Sequence, residues 1–198
     1  MAKIITFYFD IMSPYCYFAN HKLPGLARER GCKLVYHPID IPTAKIAAGN
    51  YGPSNIDIPP KIKALMADFQ RWAKRYDIPF TLPQGFDART WNIASLYAID
   101  KGCAEAFVDN AYHKIWAEGI DPSDGRELRS ALIQAGLYAE EAIDYAGSVK
   151  GETEFKKSCV EAHKADVFGA PIMIVDDQLF WGNDRLDFLD EYLSEAAG

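Results

Sequence analysis

The sequence predicts an α/β protein whose single sheet is split by a block of helices. Two observations carry this. The chain opens on an apolar run rich in β-branched and aromatic residues, Ile4–Phe9, and closes on two more, Ile172–Val175 and Gln178–Trp181, joined by the turn Asp176-Asp177. Helical spacing of apolar residues dominates the stretch between them. The order βα, β, many helices, ββα describes one sheet domain, residues 1–43 and 164–198, interrupted by a helical domain, 44–163.

Each element has a local reason. Ser13 followed by Pro14 is a helix start, a hydroxyl N-cap with proline at the first helical position. The helix then runs to Arg30 and is closed by Gly31, with Pro24-Gly25 expected to kink or interrupt it. Lys33 to Ile39 reads as a second strand, parallel to the first because a helix joins them. Pro42 to Pro60 holds Gly49, Gly52 and four prolines, and reads as a long loop with one helical turn around Lys45. Loop statistics leave two roles open for it, a functional segment or an inter-domain connection.

From Pro60 to Tyr76, Ile62, Leu65, Met66, Phe69, Trp72, Ala73 and Tyr76 recur at three- and four-residue spacing, an amphipathic helix whose aromatic stripe belongs to the core. Further helices are predicted over Thr90–Lys101, Ala104–Ala117, Gly125–Ala135, Ala139–Ala146 and Gly151–Asp166. Gly136 stands where a left-handed C-terminal cap belongs. Leu186, Leu189, Tyr192 and Leu193 mark a last helix, which Asn183-Asp184 would cap.

Composition sets the bounds. A hydrophobic fraction of 49% and a charged fraction of 25% are those of an ordinary globular protein. The net charge of −7 leaves no basic excess to neutralise phosphates, which argues against nucleic acid as a partner. No apolar run approaches the roughly 20 residues needed to span a bilayer. Nor does an apolar signal segment precede the first strand, so the expected setting is cytoplasmic, with no membrane partner. Cys16, Cys32, Cys103 and Cys159 form no CxxC pair and are expected as free thiols. His21, His37, His113 and His163 form no ligand cluster, so no metal is expected.

Three places could carry chemistry. Ser13 and Cys16 reach a helix N-terminus, where unpaired amides favour an anion; on local pattern Ser13 reads equally well as a cap alone. The loop with Lys45 and Asn50–Asn55 is the second. The third pairs Gly169-Ala170-Pro171 with Trp181-Gly182-Asn183-Asp184, which the predicted sheet brings beside Ser13. A proline before a strand can be cis, and the residue ahead of it then offers a free backbone edge to an extended peptide.

Taken together, the segments FYFDIMSPYCYFAN, KIAAGNYGPSN, FGAPIM and WGNDRL, in that order along the whole chain, resemble the 2-hydroxychromene-2-carboxylate isomerases. These are relatives of kappa-class glutathione transferases with a DsbA-like thioredoxin fold. The resemblance implies a glutathione-dependent cis-trans isomerase of aromatic hydrocarbon catabolism, as in naphthalene degradation. Its substrate would be a small bicyclic aromatic carboxylate, and its working form a homodimer. Its chemistry would be reversible thiolate addition, ring opening, rotation to the trans alkene and elimination.

The resemblance also assigns residues. Ser13 would be the catalytic serine, hydrogen-bonding the glutathione sulfur. Ala170, before a cis Pro171, would pair with the cysteinyl unit, and Trp181, Gly182, Asn183 and Asp184 would hold the γ-glutamyl end. Lys45 and Asn55 would meet the organic substrate, with the lysine on its carboxylate. Ile56 stands where relatives can carry a basic residue, and Phe86 near a position where they have tyrosine. Both changes remove polar contacts from the substrate side. Cys16, often serine in these isomerases, is expected to pack. The other readings are a kappa-type glutathione transferase or peroxidase, a disulfide oxidoreductase, which the missing first cysteine disfavours, and a thioredoxin-fold binding module.

Overall fold

The computed structural model describes residues 2–195. Position 1 and positions 196–198, the outer ends of the predicted sheet domain, lie outside the described residues. Strand β1 (Ile4–Phe9) turns into α1 (Pro14–Glu29), and β2 (Lys33–Pro38) returns parallel to β1, pairing Lys33 with Ile4 and Pro38 with Phe9. Seven helices follow: α2 (Ile41–Ala47), α3 (Pro59–Tyr76), α4 (Arg89–Asp100), α5 (Ala104–Tyr112), α6 (Gly125–Gln134), α7 (Ala139–Ala146) and α8 (Val149–Lys164). The chain ends with β3 (Ile172–Val175), β4 (Gln178–Trp181) and α9 (Leu186–Glu195). The sheet order is β2-β1-β3-β4, with β3 antiparallel to both of its neighbours.

Alternation along β1 sorts its side chains between two layers. Ile5, Phe7 and Phe9 are fully buried on one face, each of the phenylalanines worth about 1.5–3 kcal/mol of burial. They join a core that continues through Leu23, Phe69, Trp91, Phe107, Leu132, Phe155 and Leu189. The sheet and the helical block therefore share one set of packed side chains. Tyr8 points the other way, into a smaller cluster with Ile39, Ala44, Ala162, Val167 and Ile172. On that side α8 is tied to β2 by Ser158, whose Oγ donates to the Pro38 carbonyl at 2.7 Å and whose carbonyl meets His37 Nε2 at 2.9 Å.

The strands run as the sequence predicts, within one residue, and most helices within two. Three departures have physical causes. The predicted loop from Pro42 to Pro60 begins instead with two turns of α2. The Asp40 carboxylate accepts from Thr43 N at 2.8 Å, and Pro42 sits in the first turn, where its missing N–H costs nothing. Later in this stretch, Asn55–Asp57 adds a 3₁₀ turn. Secondly, α1 runs without interruption through Pro24, which is buried in the core, so packing outweighs the lost backbone bond.

The third departure is the end of the helix predicted to Ala117. After Tyr112 it widens into a π-type turn, His113–Glu118, closed by Gly119 at φ 71°. A Cβ on Gly119 would meet Thr81 Cγ2 at 2.5 Å, so the residue serves both conformation and close approach. The widened turn aims Trp116 Nε1 at the carbonyl of Ile11, 2.8 Å away, beside the Ser13 turn.

Gly151, in the first turn of α8, gives a test of this packing. An ideal Cβ there would lie 2.3 Å from the Tyr145 carbonyl oxygen and 2.9 Å from Ile93 Cγ2. The backbone oxygen cannot swing away, so overpacking outweighs the helix-propensity gain of alanine, about 1 kcal/mol. Gly151→Ala is expected to destabilise the protein by about 1–3 kcal/mol in urea unfolding.

Candidate active site

The turn between β1 and α1 is built from the backbone outward. Ser13 N donates to the Asp10 carbonyl at 3.0 Å, and the Ser13 side chain accepts from Cys16 N at 3.3 Å, so the serine is the N-cap the sequence predicts. Ser13 is buried, at 5% exposure. Cys16 is fully buried; burial pushes its thiol up to about 12, against smaller opposing contributions from the Ser13 hydroxyl and the Asp10 backbone. A thiol so held is a packing group, as expected of it.

Antiparallel pairing sets Tyr8 opposite Ile172. Continued by two residues, that register brings Pro171 and Ala170 alongside Phe9 and Asp10, the residues leading into the Ser13 turn. The Ala170–Pro171 peptide is cis. The Pro171 carbonyl accepts from Gly182 N at 2.9 Å, while Ala170 has no backbone partner among the described residues. Gly182 adopts φ 109°, and a Cβ there would fall 2.3 Å from Asp184 Oδ1. Asn183–Arg185 form a 3₁₀ turn leading into α9, so Asn183 and Asp184 do not cap that helix as predicted; Gly182 takes the cap position. Asn183 is 3% exposed and its Nδ2 has no hydrogen-bond partner among the described residues. Tyr76 lies near this amide, but no bond of acceptable geometry reaches Nδ2.

These segments face one cavity of about 730 Å³. It gathers Lys45, Asn55, Ala170, Pro171, Trp181, Gly182, Asn183 and Asp184 from four distant parts of the chain. Ser13 is not among its lining residues, although Tyr15 and Pro171 on either side of it are. Ile56 and Phe86 do not line the cavity either; they are 62% and 67% exposed. Lys45 Nζ donates to the carbonyls of Gly52 (2.6 Å) and Pro53 (2.9 Å), so the lysine pins the following loop as well as facing the cavity.

Several lining residues escaped sequence reasoning. Lys61 Nζ donates to Asn55 Oδ1 at 3.0 Å, and Tyr15 Oη donates to Asp68 Oδ2 at 2.9 Å, joining the start of α1 to α3. Ile58, Lys61, Asp68 and Trp72 reach the cavity from one side of α3. The aromatic stripe of this helix is therefore not wholly core, because Trp72 stands at its edge and is half-buried. The available signal was two charged residues, Lys61 and Asp68, flanking that stripe at helical spacing. Among the described residues no group of His, Cys, Asp and Glu is placed to hold a metal ion, and no helix is long and apolar enough to cross a membrane.

Comparison with known proteins agrees with this geometry. A family model, DSBA-like thioredoxin domain, matches residues 4–194. A 2-hydroxychromene-2-carboxylate isomerase of Sphingobium xenophagum is 55% identical over 193 residues, 98% of this chain and 99% of that protein. A glutathione S-transferase kappa 1 of Caenorhabditis elegans is 35% identical, covering 96% of this chain and 91% of its own. The solved structure of a 2-hydroxychromene-2-carboxylate isomerase superposes with a TM-score of 0.92 at 34% identity, over 98% of this chain and 96% of the other. The four-stranded sheet with its helical block is thus the DsbA-like thioredoxin fold, and the chain is an isomerase that belongs to the 2-hydroxychromene-2-carboxylate isomerase family.

Proposed function

We propose that this isomerase acts on 2-hydroxychromene-2-carboxylate or a close bicyclic analogue, giving the trans-o-hydroxybenzylidenepyruvate, and that it uses glutathione to do so. The observation that carries the glutathione half is the unpaired, buried Nδ2 of Asn183, a residue that lines the cavity together with Asp184 and with Ala170, whose backbone edge is free. A donor left without a partner costs about 1–3 kcal/mol, which a bound acceptor would recover. The residues fit the γ-glutamyl end chemically: an amide donor for its carboxylate and the Asp184 carboxylate for its ammonium.

When bound, glutathione supplies a thiolate that adds to the conjugated carbon of the substrate and later leaves it. The protein's part follows from its own groups. Ser13 Oγ, beside the cavity, would donate a hydrogen bond to the sulfur, and the N-terminus of α1 would add its partial positive charge, both favouring the anionic form of a thiol whose ordinary pKa is near 8.5. Ala170 offers its amide and carbonyl to the cysteinyl unit. Lys45 and Lys61, the latter held by Asn55, present positive charge to the substrate carboxylate, and Ile58 and Trp72 offer apolar walls for its rings. With Ser13 in place of a first cysteine, the chain cannot form the disulfide of an oxidoreductase. Cys16, Cys32, Cys103 and Cys159 are free thiols, which supports placing the protein in the reducing cytoplasm, and we extend the proposal to a homodimer there.

Turnover of 2-hydroxychromene-2-carboxylate, followed with and without added glutathione, tests the reading directly. Isomerisation is expected only with glutathione; conjugation of a chloronitrobenzene without isomerisation would replace it with a transferase. Ser13→Ala should lower kcat by about 100-fold or more, the usual cost of removing one donor to a developing anion, and lower stability by about 1 kcal/mol through the lost cap. Asn183→Leu should weaken glutathione binding about tenfold in calorimetric titration. Its unfolding midpoint should hold or rise, because an apolar group replaces an unpaired amide.

A further inference from the structure

We propose that Asp10 is a positioning residue: one buried carboxylate holds both the turn that presents Ser13 and helix α2, whose Ile41 and Lys45 line the cavity. Asp10 is 5% exposed. Its Oδ1 accepts from Met12 N at 3.0 Å, inside the Ser13 turn, and its Oδ2 accepts from Ile41 N at 3.0 Å, the first residue of α2. Asn92, on α4, donates from Nδ2 to the same Oδ1 at 2.9 Å and accepts from Ile11 N at 2.9 Å, so the carboxylate is itself held from the helical block. The Asp10 carbonyl completes the arrangement by accepting from Ser13 N at 3.0 Å and Tyr112 Oη at 3.2 Å.

A carboxylate in this place is costly. Among the described residues no cation pairs with it, and burial pushes its acid up despite three donors that pull the other way. An apolar residue would fill the space at lower cost, but it would leave the Met12 and Ile41 amides unmet and the two segments uncoupled. A small displacement of either segment changes the separation between the hydroxyl and the substrate-facing lysine, the kind of error to which catalysis is most sensitive.

The inference rests on the reading of the site given above, and the experiment separates their failures. Asp10→Asn replaces one accepting oxygen with an NH₂ group that must face a backbone N–H. It is expected to lower kcat about tenfold or more, to raise KM for the chromene carboxylate, and to speed hydrogen exchange together at residues 11–13 and 41–45. Tyr36→Phe, which removes a buried bond to Asn20 Oδ1 in another part of the core, serves as the control of stability without kinetic effect. Wild-type kinetics in Asp10→Asn, or an equal kinetic loss in Tyr36→Phe, would overturn the proposal, as would exchange unchanged at either segment. A wild type indifferent to glutathione would sink the functional reading alone, since the coupled exchange is measured without substrate. If Asp10→Asn does not fold, Asn92→Ala carries the same expectation at smaller size, and unchanged kinetics and exchange there overturn it.

Discussion

The antiparallel pairing of β1 with β3 is the contact on which the site depends. It joins the start of the chain to its last quarter, Ile5 to Val175 and Tyr8 to Ile172. Because the two strands run in opposite directions, the end of β1 and the beginning of β3 lie at the same edge of the sheet. Three segments of the candidate site hang from that edge: the Ser13 turn from β1, Ala170 and Pro171 from β3, and Trp181–Asp184 from the far end of β4. The long excursion between them carries little entropic penalty, since closing a loop costs only about 0.6 kcal/mol more for each doubling of its length. A helical block can therefore be accommodated, provided it buries its own surface, and the shared core through Trp91, Phe107 and Phe155 shows how it does so.

The block is also part of the site. Helix α3 supplies the wall with Lys61, Asp68 and Trp72, and α2 supplies Ile41 and Lys45. The π-type turn after α5 sends Trp116 to the Ile11 carbonyl, and Asn92 on α4 reaches Asp10. Sheet and helices thus meet at the backbone of residues 10–13, whose polar groups are satisfied from both sides. Electrostatics there is local. The chain carries a net charge of −7, yet the cavity presents Lys45, Lys61 and Arg185 beside Asp68 and Asp184, a mixture suited to a zwitterionic ligand and a carboxylate.

Much of the fold was legible because short-range patterns agreed with the final packing. Ile4–Phe9 and Ile172–Val175 are strongly apolar, and most of their residues are buried; Ser13-Pro14 and Gly136 mark helix ends with residues chosen by backbone geometry. The misses share a different character. Sequence alone shows only one turn of α2, around Lys45, because glycine and proline density obscures the Asp40 cap, and it expects a kink or interruption at Pro24 because that residue's burial is invisible in sequence. The cavity face of α3 was assigned to the core because hydrophobic periodicity marks an apolar face without telling a protein interior from a pocket wall.

By itself the sequence determined the strands, most helices and their order, and through its resemblance to a family it pointed to the residues that would meet a thiol and a carboxylate: Ser13, Lys45, Asn55, Asn183 and Asp184. The elements follow from local stereochemistry and from spacing within a few residues. Only the tertiary structure decided that Asn183 would be buried with an unmet donor, that Ile56 and Phe86 would stand outside the cavity, and that Cys16 would be sealed in the core. It alone showed that the Asp10 carboxylate accepts from both Met12 N and Ile41 N, joining the Ser13 turn to α2. Burial and hydrogen-bond satisfaction belong to the packed molecule, because each depends on atoms contributed by segments scores of residues apart.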